Sequence, residues 1–261
     1  MKKSACFLLA LLWLTPLVAS ANPELSGPLV RDIALDSFFA DQKGCAIFFN
    51  ETTNSYDVYH KELLDTRVAP CSTFKIPCAL IGLKYGVLQN SRTVFVWDGV
   101  KRPFDSWNQD LTLKEAFVYS AVWYFERVAG AVGMENMCQT VQSISYGNCD
   151  TTAGGTFWLD ASLTISPKEQ VEFIKKLFNY GLPFEKEHID VVKEIMYQGD
   201  VKGGRLYGKT GTSAKGSNGW FVGAYEKNGS RIDFAVRLYA GEKATGPQAK
   251  RITENIIQAH Y

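Results

Sequence analysis

The chain has 261 residues, of which 46% are hydrophobic and 21% charged, so its composition is that of a globular protein with room for one large domain or two closely packed lobes. Its 28 basic and 27 acidic residues nearly balance, which gives no electrostatic case for binding nucleic acid. The sequence contains no repeat and no low-complexity tract.

The first 21 residues have the three parts of a secretory signal peptide. Two lysines form the basic start, residues 5–14 the apolar centre, and Ala19-Ser20-Ala21 a small-residue cleavage site. An uncleaved membrane anchor is the alternative, but a span needs about 20 apolar residues and this run is shorter. We therefore predict a signal peptide at 1–21 and a single domain at 22–261, periplasmic or secreted, with no membrane contact after cleavage.

Five cysteines follow the predicted signal peptide: Cys45, Cys71, Cys78, Cys138 and Cys149. An oxidising compartment permits disulfides, but the sequence does not establish the pairing. Cys138 and Cys149 bracket a short segment, so a disulfide between them is our first hypothesis, whereas Cys71 and Cys78 are expected to be buried thiols. The cysteines and histidines do not have the spacing of a metal site, and no metal is expected.

Strand patterns lie at both ends of the chain, and helical patterns lie between them. The predicted strands are 45–50, 56–60, 205–210, 219–226 and 232–238. The dipeptide Asn228-Gly229 is typical of the hairpin turn that would join the last two strands.

Helical patterns dominate the middle region, separated by an irregular connection at 95–110 and a loop at 146–160. The first predicted helix starts with the segment 70–77 and ends near Gly86. Further helices are predicted at 113–132, 134–144, 166–180, 189–196 and 248–259. The second helix is interrupted around Tyr119-Ser120, and Ser166 to Glu169 form a capping box with Pro167 at the first helical position. This order predicts an α+β fold: an antiparallel sheet built from both chain ends and flanked by helices, with an inserted, mainly helical lobe.

Ser72 and Lys75 form a Ser-x-x-Lys tetrad at the start of the first long helix. Residues three apart lie on one face of a helix, so the Lys75 amine can reach the Ser72 hydroxyl. A serine nucleophile needs an adjacent base, and burial among apolar neighbours would favour the neutral amine that accepts a proton. The tetrad is frequent by chance, and an ordinary helix start with Ser72 as the N-cap is the alternative.

Three further segments carry side chains suited to catalysis: Ser120-Ala121-Val122, Tyr146-Gly147-Asn148 and Lys209-Thr210-Gly211-Thr212. Lys209 offers a charge, Thr210 a hydroxyl, and Gly211 lets a ligand approach the backbone. The Ser120 hydroxyl could relay a proton, and Val122 adds an apolar wall. Each segment alone is explained by a helix cap, a turn or a strand end, but their joint occurrence with the tetrad indicates a catalytic site.

These motifs closely resemble those of class D, oxacillinase-type serine β-lactamases, over nearly the whole chain after the predicted signal peptide. The resemblance also includes Phe95 to Gly99, Ala116-Phe117, Phe157-Trp158-Leu159 and Ile165-Ser166-Pro167. Tyr-Gly-Asn followed by Phe-Trp-Leu is its most discriminating part, because other active-site serine classes share Ser-x-x-Lys and Lys-Thr-Gly but not this pair. The resemblance implies the fold of β-lactamases and penicillin-binding transpeptidases.

The resemblance implies that the chain opens the β-lactam ring of penicillins and related small molecules through an acyl-enzyme on Ser72. Lys75 would be carboxylated on its side-chain nitrogen by CO2, forming N6-carboxylysine, and would be the general base; no cofactor beyond CO2 or bicarbonate is implied. Trp158 would donate its indole N–H to the modified lysine. Ser120 and Lys209 would carry a proton to the leaving nitrogen.

The resemblance also implies the substrate contacts. Val122 and Leu159 would shape an apolar wall, and Thr210 with Lys209 would contact the substrate carboxylate. Gly211 and Thr212 complete the predicted substrate-binding segment that begins at Lys209. The backbone N–H groups of Thr212 and Ser72 would form the oxyanion hole.

The chain departs from the family pattern at two positions. Cys71 stands directly before the nucleophile, where the family commonly has a small residue. The family usually places a carboxylate-binding arginine near the start of the last helix, where this chain has Ala249. Lys250 and Arg251 are adjacent, and either is a candidate for that role, with solvated charges at a helix start as the alternative.

Two other functions share the same motifs. A penicillin-binding protein acting on peptidoglycan peptides would use the same serine and lysine but deacylate slowly from β-lactams. A β-lactam sensor domain would acylate and remain acylated, although such domains normally terminate a membrane protein. The sequence predicts neither the substrate spectrum nor the oligomeric state.

Overall fold

A computed structural model describes residues 27–214, 216–239 and 244–261, so the predicted signal peptide at 1–21 lies outside the described residues. The strands are β1 (Leu29–Asp32), β2 (Gly44–Asn50), β3 (Ser55–Tyr59), β4 (Val94–Phe95), β5 (Leu111–Thr112), β6 (Tyr197–Val201), β7 (Gly204–Thr212), β8 (Asn218–Lys227) and β9 (Ser230–Tyr239). The helices are α1 (Asp36–Phe39), α2 (Lys75–Lys84), α3 (Leu113–Val118), α4 (Val122–Val132), α5 (Met134–Ser143), α6 (Pro167–Phe178), α7 (Lys186–Met196) and α8 (Gly246–His260).

Within the described residues, seven strands form one sheet in the order β1-β3-β2-β9-β8-β7-β6, and β4 pairs separately with β5. The two chain ends meet where β2 pairs antiparallel with β9, for example Ala46 opposite Val236. The predicted sheet from both chain ends is therefore confirmed, as is the helical lobe between them. The sheet is mixed rather than purely antiparallel, because β1 pairs parallel with β3.

Four strands were not predicted, namely β1, β4, β5 and β6. β1 and β6 are the two edge strands of the main sheet, and each lacks the usual sequence signal. All four residues of β1 are exposed, so no buried face produces a period-two pattern at this edge of the sheet. In β6, Gly199 accompanies a shift of register against β7, and polar residues occupy most of the strand. Edge strands of this kind bury little apolar surface, which is why hydrophobic patterning does not reveal them.

The sheet separates two apolar layers. On one face α8 packs with α1, where Phe39, Phe48 and Ile252 belong to one buried cluster. On the other face lie α6 and the helical lobe, whose larger cluster includes Phe74 and Trp158. The Ser-x-x-Lys segment therefore lies between the sheet and the lobe.

Local signals account for the helix boundaries in the lobe. Capping boxes begin α3 at Thr112 and α6 at Ser166, where the side chain of the third helical residue, Glu169 in α6, returns to the cap backbone. The predicted break around Tyr119-Ser120 separates α3 from α4, and Ser120 has a positive φ of 59°. That conformation is uncommon for a residue with a side chain.

The predicted Cys138–Cys149 disulfide is wrong, because both residues are free thiols in the structure. The Cys149 Sγ lies 3.7 Å from the carbonyl oxygen of Val141 and 3.9 Å from that of Gly147. A φ of 57° at Cys149 directs its side chain toward these carbonyls. Short separation in sequence therefore did not provide the side-chain orientation that a disulfide requires. Cys71 and Cys78 are buried free thiols, as predicted.

No helix of the described ranges combines the length and apolar character needed to cross a membrane. In the same residues, no cluster of three or more His, Cys, Asp or Glu side chains is arranged to hold a metal ion.

Candidate active site

Ser72 lies in a short 3-10 turn, Cys71–Phe74, that continues directly into α2. Cys71 has a positive φ of 51°, and its backbone N–H donates to the Trp158 carbonyl at 3.0 Å. Before the turn, the Ala69 carbonyl accepts from Trp220 Nε1 at 3.0 Å. Hydrogen bonds to both sides of the turn hold this strained backbone and fix the direction of the Ser72 side chain.

The Lys75 Nζ lies 2.8 Å from Ser72 Oγ, as the tetrad spacing predicted. Lys75 is fully buried, and this burial lowers the pKa of its amine to about 7. Near neutral pH a large fraction of the amine is therefore neutral, although the ordinary pKa of a lysine would keep it charged. The Phe125 ring centroid is 5.5 Å from the Lys75 Nζ. The pair has the distance and the protonation state that serine activation requires.

The Trp158 indole is completely buried, and among the described residues its Nε1 has no hydrogen-bond partner. Its ring stacks on Phe74, the neighbour of Lys75 in the chain, with centroids 5.2 Å apart. A buried donor without an acceptor costs about 1–3 kcal/mol, so buried polar groups are nearly always paired. This unsatisfied N–H is therefore a donor available to an acceptor group brought next to it.

Lys209 and Ser120 come together from different parts of the chain, with Lys209 Nζ donating to Ser120 Oγ at 3.0 Å. Lys209 also donates to the Thr210 carbonyl at 3.1 Å. Burial lowers the pKa of Lys209 well below its ordinary value, and the positive charges of Lys75 and Lys250 add to this effect. The pair is therefore suited to proton transfer, because the lowered pKa of Lys209 favours loss of its proton and the Ser120 hydroxyl lies within hydrogen-bond distance.

A cavity of about 600 Å³ opens over Ser72. Its lining includes six residues that the sequence predicted, namely Ser72, Ser120, Val122, Leu159, Thr210 and Thr212. It also includes residues that the sequence did not predict, among them Phe104, Trp107, Tyr119, Asp160, Ser213 and Pro247. Phe104 stacks near Trp107, with ring centroids 4.9 Å apart, so one wall of the cavity is aromatic.

Gly211 lies against the nucleophile turn itself. A Cβ atom built at this position would be 2.9 Å from the Pro70 carbonyl oxygen and 3.4 Å from the Ser72 nitrogen. The glycine therefore lets β7 pack directly on the turn, which is a packing role beside the predicted approach of a ligand. The next residue, Thr212, accepts a hydrogen bond from the Gly246 N–H at 2.9 Å and so connects β7 to the start of α8.

The Tyr146-Gly147-Asn148 motif does not line this cavity. The Asn148 Oδ1 accepts from the Thr164 N–H at 2.9 Å, and its Nδ2 donates to the Ser162 carbonyl at 2.9 Å. Gly147 has a φ of 59°, and a Cβ there would be 2.0 Å from the Thr164 carbonyl oxygen. The motif therefore joins the two ends of the loop 149–163, which carries Trp158 and Leu159.

Lys250 and Arg251 do not line the cavity. The Lys250 Nζ donates to Gln198 Oε1 at 2.8 Å and lies 3.8 Å from Glu254 Oε1. Arg251 is exposed on α8, whereas Ala249 is buried. Lys250 is the one of the two with an electrostatic effect on the site, since its positive charge helps to lower the pKa of Lys209.

Gln170 is a further residue that sequence reasoning missed. It is fully buried, and its Nε2 donates to Thr73 Oγ1 at 2.9 Å, directly beside Ser72 in the chain. A glutamine inside an amphipathic helix gives no signal of such a role, because only the tertiary structure shows that it faces the turn.

Comparison with known proteins agrees with this geometry. Residues 39–258 match the family described as the penicillin-binding protein transpeptidase domain. The probable β-lactamase YbxI of Bacillus subtilis is 38% identical over 233 residues, covering 88% of this chain and 86% of that protein.

Solved structures give the same result. A class D β-lactamase from Bacillus subtilis has a TM-score of 0.84 and 38% identity, covering 87% of this chain and 95% of that one. The C-terminal domain of the Bacillus licheniformis BlaR penicillin receptor has a TM-score of 0.86 and 33% identity, covering 90% of this chain and 98% of that one. The sequence and structural matches, together with the Ser72–Lys75 and Ser120–Lys209 pairs, show that the chain belongs to the penicillin-binding transpeptidase family and, within it, to the class D serine β-lactamases.

Proposed function

We propose that the chain hydrolyses penicillins and related β-lactams through an acyl-enzyme on Ser72, with Lys75 as the general base in its N6-carboxylated form. The observation that carries the proposal is the 2.8 Å contact between Ser72 Oγ and a fully buried Lys75 Nζ. The membership of the chain in the class D family supports the same reaction.

In the acylation step, Ser72 Oγ attacks the β-lactam carbonyl while the Lys75 side chain accepts the hydroxyl proton. The backbone N–H groups of Ser72 and Thr212 stabilise the oxyanion that forms on the carbonyl oxygen. The carbon–nitrogen bond of the ring then breaks, and Ser120 with Lys209 delivers a proton to the leaving nitrogen. The products of this step are an ester on Ser72 and a secondary amine in the opened ring.

Deacylation needs a base that can activate water after Ser72 has been esterified. Carboxylated Lys75 would supply that base, since the modification turns an amine into a carboxylate with a basic oxygen. The residues present fit such a group, because the Trp158 Nε1 is a buried donor that lacks an acceptor within the described ranges. The lowered pKa of Lys75 also favours the neutral amine, which is the form that adds CO2.

Substrate binding is proposed to use the opposite walls of the cavity. Val122, Leu159 and Thr210 line the cavity, where the first two would provide apolar contact and the Thr210 hydroxyl would meet the substrate carboxylate. Lys209 lies behind Thr210, with its Nζ 3.4 Å from Thr210 Oγ1, and would add its charge to this contact. Lys250 is the better candidate for an additional cation, because it influences Lys209 electrostatically and Arg251 is exposed.

A β-lactam sensor is the second candidate, and the match to the BlaR receptor domain is the observation that favours it. A chromogenic cephalosporin separates the two functions. Continuous release of many product equivalents, stimulated by bicarbonate, is expected of the hydrolase. A burst of one equivalent per chain, followed by no turnover at any bicarbonate concentration, would contradict hydrolysis and indicate a sensor or a penicillin-binding protein.

We also propose that residues 1–21 are removed on export and that 22–261 is the mature catalytic domain. The support is the sequence pattern of the segment and its small-residue cleavage site. N-terminal sequencing of the protein from the periplasm or the culture medium tests this, with Asn22 expected as the first residue. A mature chain that retains its first 21 residues would overturn it.

A further inference from the structure

Asp160 joins two segments that form one end of the cavity. Its Oδ2 accepts from Ser213 Oγ at 2.8 Å and from the Ala214 N–H at 3.1 Å. All three residues line the cavity. We propose that these two hydrogen bonds, here called the Asp160 latch, determine substrate specificity. They set the width of the cavity end that receives the acyl side chain of a β-lactam. The inference rests on the proposed function and names a part of the substrate that this wall would select.

The latch completes the attachment of the loop that carries Leu159. Asn148 joins the two ends of that loop, as described above, and Asp160 holds its cavity side to the chain that follows β7. Asp160 has a positive φ of 46°, which is uncommon for a residue with a side chain and costs free energy unless other contacts maintain it. The two hydrogen bonds of the carboxylate are contacts of that kind.

Ser213, which donates one of the two hydrogen bonds of the latch, is also held in place. The Ser213 N–H donates to the Asn218 carbonyl at 2.8 Å, and its Oγ lies 3.0 Å from Ser217 Oγ. The start of the connection from β7 to β8 therefore has defined geometry. Loss of the carboxylate would release the Leu159 loop from a positioned partner, and the cavity would widen at that end.

The latch lies just beyond the end of β7, and its distance from Lys209 along the chain identifies the substrate group that it meets. Lys209 and Ser213 are four residues apart, which is about 13 Å along an extended strand. In penicillins and cephalosporins the carboxylate and the acylamino side chain are attached at opposite ends of the fused ring system. If Lys209 and Thr210 bind the carboxylate, the acylamino side chain is directed toward Leu159, Asp160 and Ser213.

The test compares substrates that differ in the size of this side chain. For Asp160→Ala, we expect the ratio of kcat/KM for an oxyimino-cephalosporin to kcat/KM for benzylpenicillin to rise about tenfold over the wild type. Asp160→Asn keeps an acceptor oxygen for both donors and tolerates positive φ, so it should retain the wild-type ratio. Ser213→Ala removes one of the two bonds and should give an intermediate ratio.

Asp150→Ala is the matched control, because Asp150 lies in the same loop, accepts from the N–H and hydroxyl of Thr152, and does not line the cavity. Asp160→Gly is the second variant if Asp160→Ala does not fold, since glycine accommodates the φ of 46°. An unchanged ratio in the folded latch variants would overturn the proposal. A ratio that rises as much in Asp160→Asn as in Asp160→Ala would also overturn it, because charge rather than the latch would then set specificity.

The failure of the proposed function is distinguishable from the failure of the latch. Acylation rates of the same variants are measured in parallel with a small and a bulky fluorescent penicillin. A wild-type chain that acylates but does not turn over would contradict hydrolysis, while the acylation ratio would still report the latch.

Discussion

Gln170 Nε2 donates a 2.9 Å hydrogen bond to the side-chain oxygen of Thr73, the residue that follows Ser72. Thr73 in turn donates to the Pro70 carbonyl at 2.8 Å, and the Tyr146 hydroxyl donates to Gln170 Oε1 at 3.3 Å. This buried chain connects α6 and the Tyr-Gly-Asn motif to the turn that bears Ser72. Such a network stabilises only while each member has its partner.

Replacing Gln170 with alanine should therefore destabilise the enzyme. The change leaves the buried Tyr146 hydroxyl without its acceptor and opens a small cavity, so we expect the free energy of unfolding to fall by about 2 kcal/mol. Urea denaturation measures this change. Gln139→Ala on the exposed face of α5 is the control, and equal losses in the two variants would show that the network contributes nothing.

Ser72→Ala should abolish covalent labelling by a fluorescent penicillin and leave the fold intact. The side chain is small and faces the cavity, so its loss removes the nucleophile without disturbing the packed core. Intact-mass measurement after incubation with penicillin checks the prediction. Ser143→Ala, an exposed serine of α5, should label like the wild type. A penicilloyl adduct on the Ser72 variant would refute the assignment of the nucleophile.

Patterning and capping residues predicted most of the fold because they act locally. The hairpins at both chain ends, the broken helix before Ser120 and the capping box at Ser166 all depend on nearby residues. The edge strand β6 escaped prediction since it buries little apolar surface. The Cys138–Cys149 disulfide failed because pairing depends on side-chain direction, which residue spacing does not determine.

In the site, too, contacts within one local element were predictable from the sequence, and contacts between distant residues were not. The Ser72–Lys75 contact lies within one helical turn, so its geometry was predictable from spacing. Asp160 and Ser213 are 53 residues apart, and neither belongs to a pattern that would associate them. The resemblance identified Tyr146-Gly147-Asn148 but not its position, and only the structure shows that the motif braces the loop behind the cavity.

The lowered pKa of Lys75 predicts a pH dependence of acylation. The amine must be neutral to add CO2 and form the proposed carboxylated base, so the single-turnover acylation rate should rise with pH through about 7 and then level off. Stopped-flow measurements with benzylpenicillin test this, and a rate that is flat across neutral pH would contradict it.

The same pKa predicts how stability depends on pH. Between about pH 7 and about 10.5 the unfolded chain holds a proton on Lys75 that the folded enzyme lacks, so the contribution of this group to the free energy of unfolding rises with pH. Lys75→Met removes the titrating group and should flatten this rise. An identical slope in the wild type and the variant would show that Lys75 is protonated in the folded enzyme.

Lys250→Ala should weaken substrate binding more than Arg251→Ala. Both variants lose one positive charge on α8, but Lys250 influences Lys209 electrostatically whereas Arg251 is exposed. We expect KM for benzylpenicillin to rise several-fold in the Lys250 variant and to remain near the wild-type value in the Arg251 variant. The reverse order would assign the carboxylate anchor to Arg251, and equal KM values in all three proteins would exclude both residues.

Trp158→Phe should lower the carboxylation of Lys75 and slow deacylation more than acylation. Phenylalanine retains an aromatic ring to stack on Phe74 but removes the buried Nε1–H, which has no partner in the described part of the chain. A hydrogen bond to a buried charged group contributes about 1.5–3 kcal/mol, so its loss should reduce occupancy roughly tenfold or more. Carbon-13 NMR with labelled bicarbonate measures the modified lysine directly.

The Trp158→Phe variant also separates chemistry from packing. Added bicarbonate should partly restore its turnover, because a higher CO2 concentration opposes the loss of the modification, whereas a packing defect would not respond. Acidic buffer should lower the turnover of the wild type, since protonation of the Lys75 amine drives off CO2. Trp123→Phe is the matched control, because this buried indole N–H already has an acceptor, the Trp107 carbonyl at 2.9 Å. An unmodified Lys75 in a fully active enzyme would sink the mechanism, as would wild-type turnover by Trp158→Phe at low bicarbonate.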